Sequence, residues 1–423
     1  MGLLVDTTPL RVSPDFRRLW TGQAVSHVGS MMTMAALPYQ VYHQTGSSLA
    51  VGLLGIVELV PLLIFSLVGG SLADSIDKRR LLLAVTALGL CCPAGLLANA
   101  ALGQPQTWPL FVLAALSSAC FAVTFPVLRS LLPMLVGPDL RPAAYALQSA
   151  YASFGMMAGP AIAGVLIGAF GLTATYGVDV GSYVIAFLVF AGLAPSPPVA
   201  GSDAAGKRTS IFQGVRFLWG STVMSVFAID FIAMVFGMPR ALFPALAQRL
   251  GGGPGLYGLL LSSVAAGAFT ATLASGWTSK VHRQGSALLL AVAGWGIAIA
   301  AAGLVHQPAL VLLMLACAGG ADMISGVFRS AIAADVTPDE LRGRVSGVEF
   351  AVYAGGPRLG DVEAGVVGGV TSIQFAVVSG GLACVAGAGL FALFVPGLAR
   401  YVRPATEPVL TPVTPVTPVT PVA

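Results

Sequence analysis

From about residue 18 to residue 396 the chain alternates long apolar runs with short polar breaks. The runs predict helices over 18–42, 49–73, 81–102, 108–130, 144–168, 173–194, 220–246, 256–278, 286–305, 308–330, 345–369 and 373–396. At 1.5 Å per residue, each can cross a hydrocarbon core of about 30 Å. Only helices or closed barrels satisfy their backbone groups in lipid. A barrel needs short segments of strictly alternating polarity, whereas these runs are continuous and rich in Leu, Ala, Val and Gly. The pattern therefore predicts an all-α polytopic membrane protein: twelve transmembrane helices in two six-helix, pseudo-symmetric bundles.

Composition supports this reading. The 423 residues are 56% hydrophobic and 9% charged, against about 25% charged in soluble domains. The 52 glycines would weaken soluble helices, but small residues let membrane helices approach closely. Cys91, Cys92, Cys120, Cys317 and Cys384 all lie in apolar runs, without the partners or spacing of a metal site or disulfide framework. The first run follows Arg17 and Arg18 and has no small-residue cleavage site, so it reads as a retained span.

Breaks on one side of the predicted bilayer hold 18 of the 21 basic residues, among them Arg17, Arg18, Lys78, Arg79, Arg80, Arg129, Arg141, Lys280, Arg283, Arg329, Arg342 and Arg344. The positive-inside rule then places both termini in the cytoplasm of a multi-pass inner-membrane protein. The expected organisation is a cytoplasmic N-terminus (1–17), a first bundle (18–194) and a linker with an interfacial helix (195–219). A second bundle (220–396) and a Thr-Pro-Val tail (397–423) of extended, unpacked chain follow. The halves echo each other: Arg129, Ser130, Val136, Pro138 and Asp139 recur 200 positions later, and Gly159-Pro160 recurs as Gly356-Pro357. Such duplication is expected of a transporter built from two repeats.

The loop Gly70-Ser71-Leu72-Ala73-Asp74-Ser75-Ile76-Asp77-Lys78-Arg79-Arg80 is similar to the loop signature after span two of the major facilitator superfamily. In span five, Gly155, Gly159, Pro160 and Gly164 resemble the motif of its antiporter, or export, branch. The segments 230–240, 321–325 and 337–344 narrow the likeness to enterobactin-exporter-like members, the transmembrane secretion effectors among drug:proton antiporters. The resemblance implies a monomeric exporter that moves a siderophore, macrolide or other drug-like molecule against protons. It implies no cofactor, no metal and no nucleic-acid partner. Ser75 and Asp77 depart from the loop signature, and span four lacks the mid-helix arginine of many antiporters, since Arg129 lies near the span's end.

Several residues could carry mechanism. Asp74, with Lys78 and Arg79, sits where span two leaves the membrane. Its carboxylate could accept N–H groups at the start of a neighbouring helix, which the resemblance implies is span eleven, and so latch the cytoplasmic side, or these could be ordinary topology charges. Ionisable groups inside spans cost at least about 2.5–3.5 kcal/mol at the bilayer centre, so they are site candidates by default: His27, Glu58, Asp230, Asp322, Glu349, Arg358, Asp361 and Glu363. Asp230 and Asp322 share a depth on spans seven and ten, which the resemblance implies line the cavity, and form the preferred proton-responsive pair; structural bonds are the alternative. Arg358 and Asp361, three apart, could face each other as a gate, an anion contact or a structural pair. His27 and Glu58 could be relays or structural hydrogen-bonding groups. An uptake symporter, a membrane-embedded enzyme and a nontransporting sensor remain rivals, but no phosphate loop, metal triad or nucleophile elbow is present.

Overall fold

The computed structural model describes residues 6–197, 221–338 and 341–403, and its long elements are helices. These are α1 (Pro14–Thr45), α2 (Ser48–Ser75), α3 (Lys78–Ala100) and α4 (Trp108–Leu135). The segment Arg141–Ala191 is divided at Gly171 into α5 (141–170) and α6 (172–191). Span α7 has an inner part, Thr222–Phe236, and an outer part, Phe243–Arg249. Then come α8 (Pro254–Leu273), α9 (Gln284–Leu304), α10 (Pro308–Val336), α11 (Arg342–Val370) and α12 (Ile373–Phe394). The interfacial helix expected after residue 210 and the Thr-Pro-Val repeats lie outside the described residues.

Local sequence sets the boundaries. Ser13 caps α1 by accepting from the Phe16 N–H at 3.1 Å, and Pro14 opens the helix where its missing N–H is harmless. Gly46, at φ 63°, ends α1 in the left-handed region. Ser47, Asp77 and Ser372 cap α2, α3 and α12 in the same way as Ser13.

Gly171, at φ 80° and ψ 178°, reverses the chain. Along α1, Trp20, His27 and Met31 meet Leu147, Ala152 and Gly159, so α5 runs parallel to it. Gly22, Gly29 and Gln40 meet Phe190, Ser182 and Tyr176, so α6 runs antiparallel. Nine stretches of the described residues are long and apolar enough to cross a membrane, and the unbroken 54-residue stretch Pro138–Ala191 counts as one. A count of twelve crossings therefore treats Gly171 as a membrane turn and takes the more polar α1 and α11 as spans.

Packing is uneven along the membrane normal. Away from the basic loops, one buried core joins both halves, with Met32, Val41, Leu54 and Ala163 packed among Leu242, Tyr257, Trp295 and Leu315. There the Tyr257 hydroxyl donates to the Ala35 carbonyl at 2.8 Å. Toward the basic end each half keeps its own core: Leu19, Leu82, Leu131 and Phe190 in the first, Phe227, Leu288, Phe328 and Val345 in the second. The halves are thus sealed together at the end away from the basic loops.

Two glycine seams make that seal. In α5, a Cβ on Gly164 would lie 2.6 Å from the Pro254 carbonyl oxygen and 3.1 Å from the Gly258 Cα of α8. In α11, a Cβ on Gly365 would lie 2.8 Å from the Gly52 Cα of α2. Neither crossing has room for a side chain, which explains part of the glycine content.

Candidate functional site

In the second half, Asp230 sits on the inner part of α7 between the buried Ile229, Phe227 and Met234, and is itself buried. Its partner is Arg329 of α10, whose Nη1 donates to the Asp230 carboxylate in a buried ion pair. Along α10, Asp322, Ser325 and Arg329 follow at i, i+3 and i+7 and form one stripe of the helix. Asp322 and Glu349 of α11 are close enough for their charges to act on Asp230, and Asp322 also feels Arg329. Arg329 is thus in direct contact with Asp230, while Asp322 and Glu349 act on Asp230 through their charge from longer range.

A second charged set lies where α2, α7 and α11 meet. Arg358 and Asp361 do not form the intrahelical pair that their spacing suggests. Arg358 Nε instead faces Glu58 Oε2 at 3.3 Å across the seam, and its Nη1 donates to the Ala354 carbonyl at 2.8 Å. Asp361 turns to the break in α7, where it accepts from the Ala241 N–H at 3.1 Å and lies 3.7 Å from Arg240 Nη2. The tertiary partners displace the local one because the break at Gly237–Leu242 presents an N–H and a cation to α11.

The other sequence candidates have quieter settings. His27 Nε2 lies 3.3 Å from the Ala152 carbonyl, edge-on to Tyr151 and against Gly155. Gly159 faces Met31, so Gly155 and Gly159 receive α1, whereas Pro160 and Gly164 receive α8. The Asp74 side chain lies outside the described residues. The Lys78 backbone N–H donates to the Ser196 carbonyl just beyond α6 at 3.0 Å, and Arg79 reaches the Ala191 carbonyl at the end of α6. Asp77 accepts from the Arg80 and Ser196 N–H groups, both at 2.9 Å. Among the described residues, no group of three or more His, Cys, Asp or Glu side chains is placed to hold a metal ion.

Sequence reasoning passed over Asp179, which is 1% exposed in α6. Thr33 donates to it at 2.5 Å and Ser182 at 3.0 Å, tying α6 to α1. Its position inside an apolar run was the same signal that picked out Asp230. Asp179→Ala should lower stability by about 1–3 kcal/mol, because it removes the buried acceptor of the Thr33 hydroxyl, Ser182 keeping its bond to the residue-179 carbonyl, while Asp179→Asn should retain most of it. Thermal unfolding of the purified variants in detergent checks this, and an alanine variant as stable as the parent would refute it.

Residues 6–401 match the family described as transmembrane secretion effector. The chain belongs to that family. Its members are major facilitator transporters and not enzymes. The enterobactin exporter EntS of Citrobacter koseri is 27% identical over 412 residues, covering 96% of this chain and 97% of that protein. The enterobactin exporter EntS of Shigella boydii is 27% identical over 380 residues, 89% of this chain and 90% of its own. Among solved structures, the nucleoside transporter NupG superposes with a TM-score of 0.73 at 13% identity, over 90% of this chain and 98% of that one. A peptide transporter POT gives 0.71 at 14%, over 92% and 96%. The fold is thus the major facilitator fold, and the protein is a multi-pass membrane transporter.

Proposed function

We propose that this transmembrane secretion effector is a proton-coupled exporter of a small organic molecule, a siderophore, macrolide or other drug-like compound, working as a monomer by alternating access. The observation that carries export is the full-length similarity to enterobactin exporters. Proton coupling is supported by the Asp230, Asp322, Glu349 and Arg329 set, a membrane-embedded cluster with more acids than cations. The positive-inside rule supports cytoplasmic termini, and on that reading the seal at the end away from the basic loops corresponds to an inward-facing conformation.

The test is an accumulation screen in a strain without its own efflux pumps, with and without a protonophore. The reading requires at least one compound whose cellular level falls on expression and recovers when the gradient is collapsed. No such compound, or efflux indifferent to the protonophore, would overturn it. The topology makes its own prediction: in a cysteine-free background, Ser202→Cys should resist a membrane-impermeant thiol reagent in intact cells and react once the cells are opened. Labelling from outside would reverse the orientation.

A further inference from the structure

The two seams that seal the halves are related by the internal duplication, yet they differ in chemistry. At the α5–α8 crossing the groups in contact are Gly164, Gly258 and the Pro160 and Pro254 carbonyls. At the α2–α11 crossing the glycines remain, with Gly52 and Gly55 against the Asp361 and Arg358 carbonyls, but the crossing also carries Glu58, Arg358 and Asp361. The repeat explains the origin: Gly159-Pro160-Ala161-Ile162-Ala163-Gly164 in α5 corresponds to Gly356-Pro357-Arg358-Leu359-Gly360-Asp361 in α11. The second copy acquired two opposite charges, and the first did not.

Glu58–Arg358 is the one ion pair among the described residues that joins the two halves. The charged groups acting on Glu58 are Arg358 and Asp361 of α11 and Arg240 from the break in α7; from α4, Ser118 donates to the Glu58 carbonyl at 2.7 Å. Arg358 has two acids within reach of its helix position, Glu58 across the seam and Asp361 one turn along α11. It is paired with the first. The second pairing is the ordinary i,i+3 arrangement, so the arginine has two discrete places to put its charge.

We propose that Glu58 is a proton-binding site that gates the α2–α11 seam. Ionised, it holds Arg358 across the seam. Protonated, it loses the Coulomb attraction and Arg358 turns to Asp361, which leaves the halves tied at this crossing by packing alone and lets the sealed end part. A neutral carboxylic acid is tolerated in the low-dielectric seam, whereas an ionised one without its arginine is not. Opening from this end is therefore linked to uptake of a proton at Glu58, and reclosure to its release. The gate presupposes the alternating-access reading, but its test needs no cargo, so its failure leaves the export assignment standing.

The test uses a disulfide across the seam. A Cβ on Gly369 would lie 3.4 Å from the Leu49 Cβ, within reach of the usual disulfide separation. In the full chain without its five native cysteines, Leu49→Cys with Gly369→Cys should cross-link readily at pH about 8. The yield should fall about fivefold at pH about 5, the change expected when an ion pair contributing about 1 kcal/mol is lost. Yields are referred to Gly294→Cys with Ala321→Cys, a pair within the second half whose Cβ atoms would lie 3.9 Å apart. Glu58→Gln and Arg358→Gln should each hold the cross-link near the parent's low-pH yield at every pH, flattening the profile, and Glu58→Arg with Arg358→Glu should restore the high yield. If Glu58→Gln accumulates poorly, Glu58→Asp keeps a titrating acid and should keep the pH dependence. A parent profile without pH dependence, or a Glu58→Gln profile matching the parent, would overturn the gate.

Discussion

Arg329→Ala is expected to be among the most damaging single substitutions in the chain. The side chain is the cation that Asp230 contacts, and Asp322 and Glu349 stand nearby, so its loss leaves uncompensated buried acid. Breaking one partner of a buried ion pair typically destabilises by about 3–5 kcal/mol, whereas removing both is often near neutral. The double variant Asp230→Ala with Arg329→Ala should therefore recover much of the stability that Arg329→Ala loses. Thermal unfolding of the parent, Arg329→Ala, Asp230→Ala and the double variant, all purified in detergent, decides the matter. A single variant as stable as the parent, or a double variant worse than the sum of the two singles, would show that the pair does not hold α7 to α10.

The fold was legible because it follows from periodicity and solvent. Continuous apolar runs force helices, and the recurrence of Arg129-Ser130 as Arg329-Ser330 marks the two repeats before any coordinates exist. The site was legible only by element. Position along a helix placed Asp230 and Asp322 at one depth; in the structure Asp230 pairs directly with Arg329, and Asp322 acts on it through its charge from longer range. Partner choice was not legible. Arg329 lies near a helix end and reads as a topology charge, but only a tertiary contact shows that it reaches Asp230. Its duplicate Arg129 has no such acid, since α1 carries none beyond Asp15, and it rests over Phe125 at 5.4 Å instead. In the same way, i,i+3 spacing suggested that Arg358 would meet Asp361, because a sequence cannot show Glu58 and the α7 break arriving from other helices. Local geometry sets which pairs are possible, and the packed helices choose among them.

Asp322→Asn is expected to abolish uphill transport while sparing downhill exchange. Arg329 balances one carboxylate, and its direct contact is with Asp230. Asp322 shares that guanidinium only at longer range, yet it lies on the same stripe of α10. In a low-dielectric interior two acids cannot both remain ionised beside one cation without a large penalty, so a proton shared between them is the natural resolution. A cargo or conformation that draws Arg329 away from Asp230 would change which acid holds that proton, and this is the coupling an antiporter needs. Asn keeps the shape of Asp322 and removes its titration. In liposomes carrying a compound found by the accumulation screen, the parent should concentrate it when a pH gradient is imposed. Asp322→Asn should equilibrate it to a ratio of about 1, with counterflow retained. Asp230→Asn should show the same uncoupling with an added loss of stability, because it also removes the charge that balances Arg329. If both single variants and the double variant still concentrate the compound, these carboxylates are structural ties, and coupling must lie elsewhere, with Glu58 on the α2–α11 seam the next acid to replace.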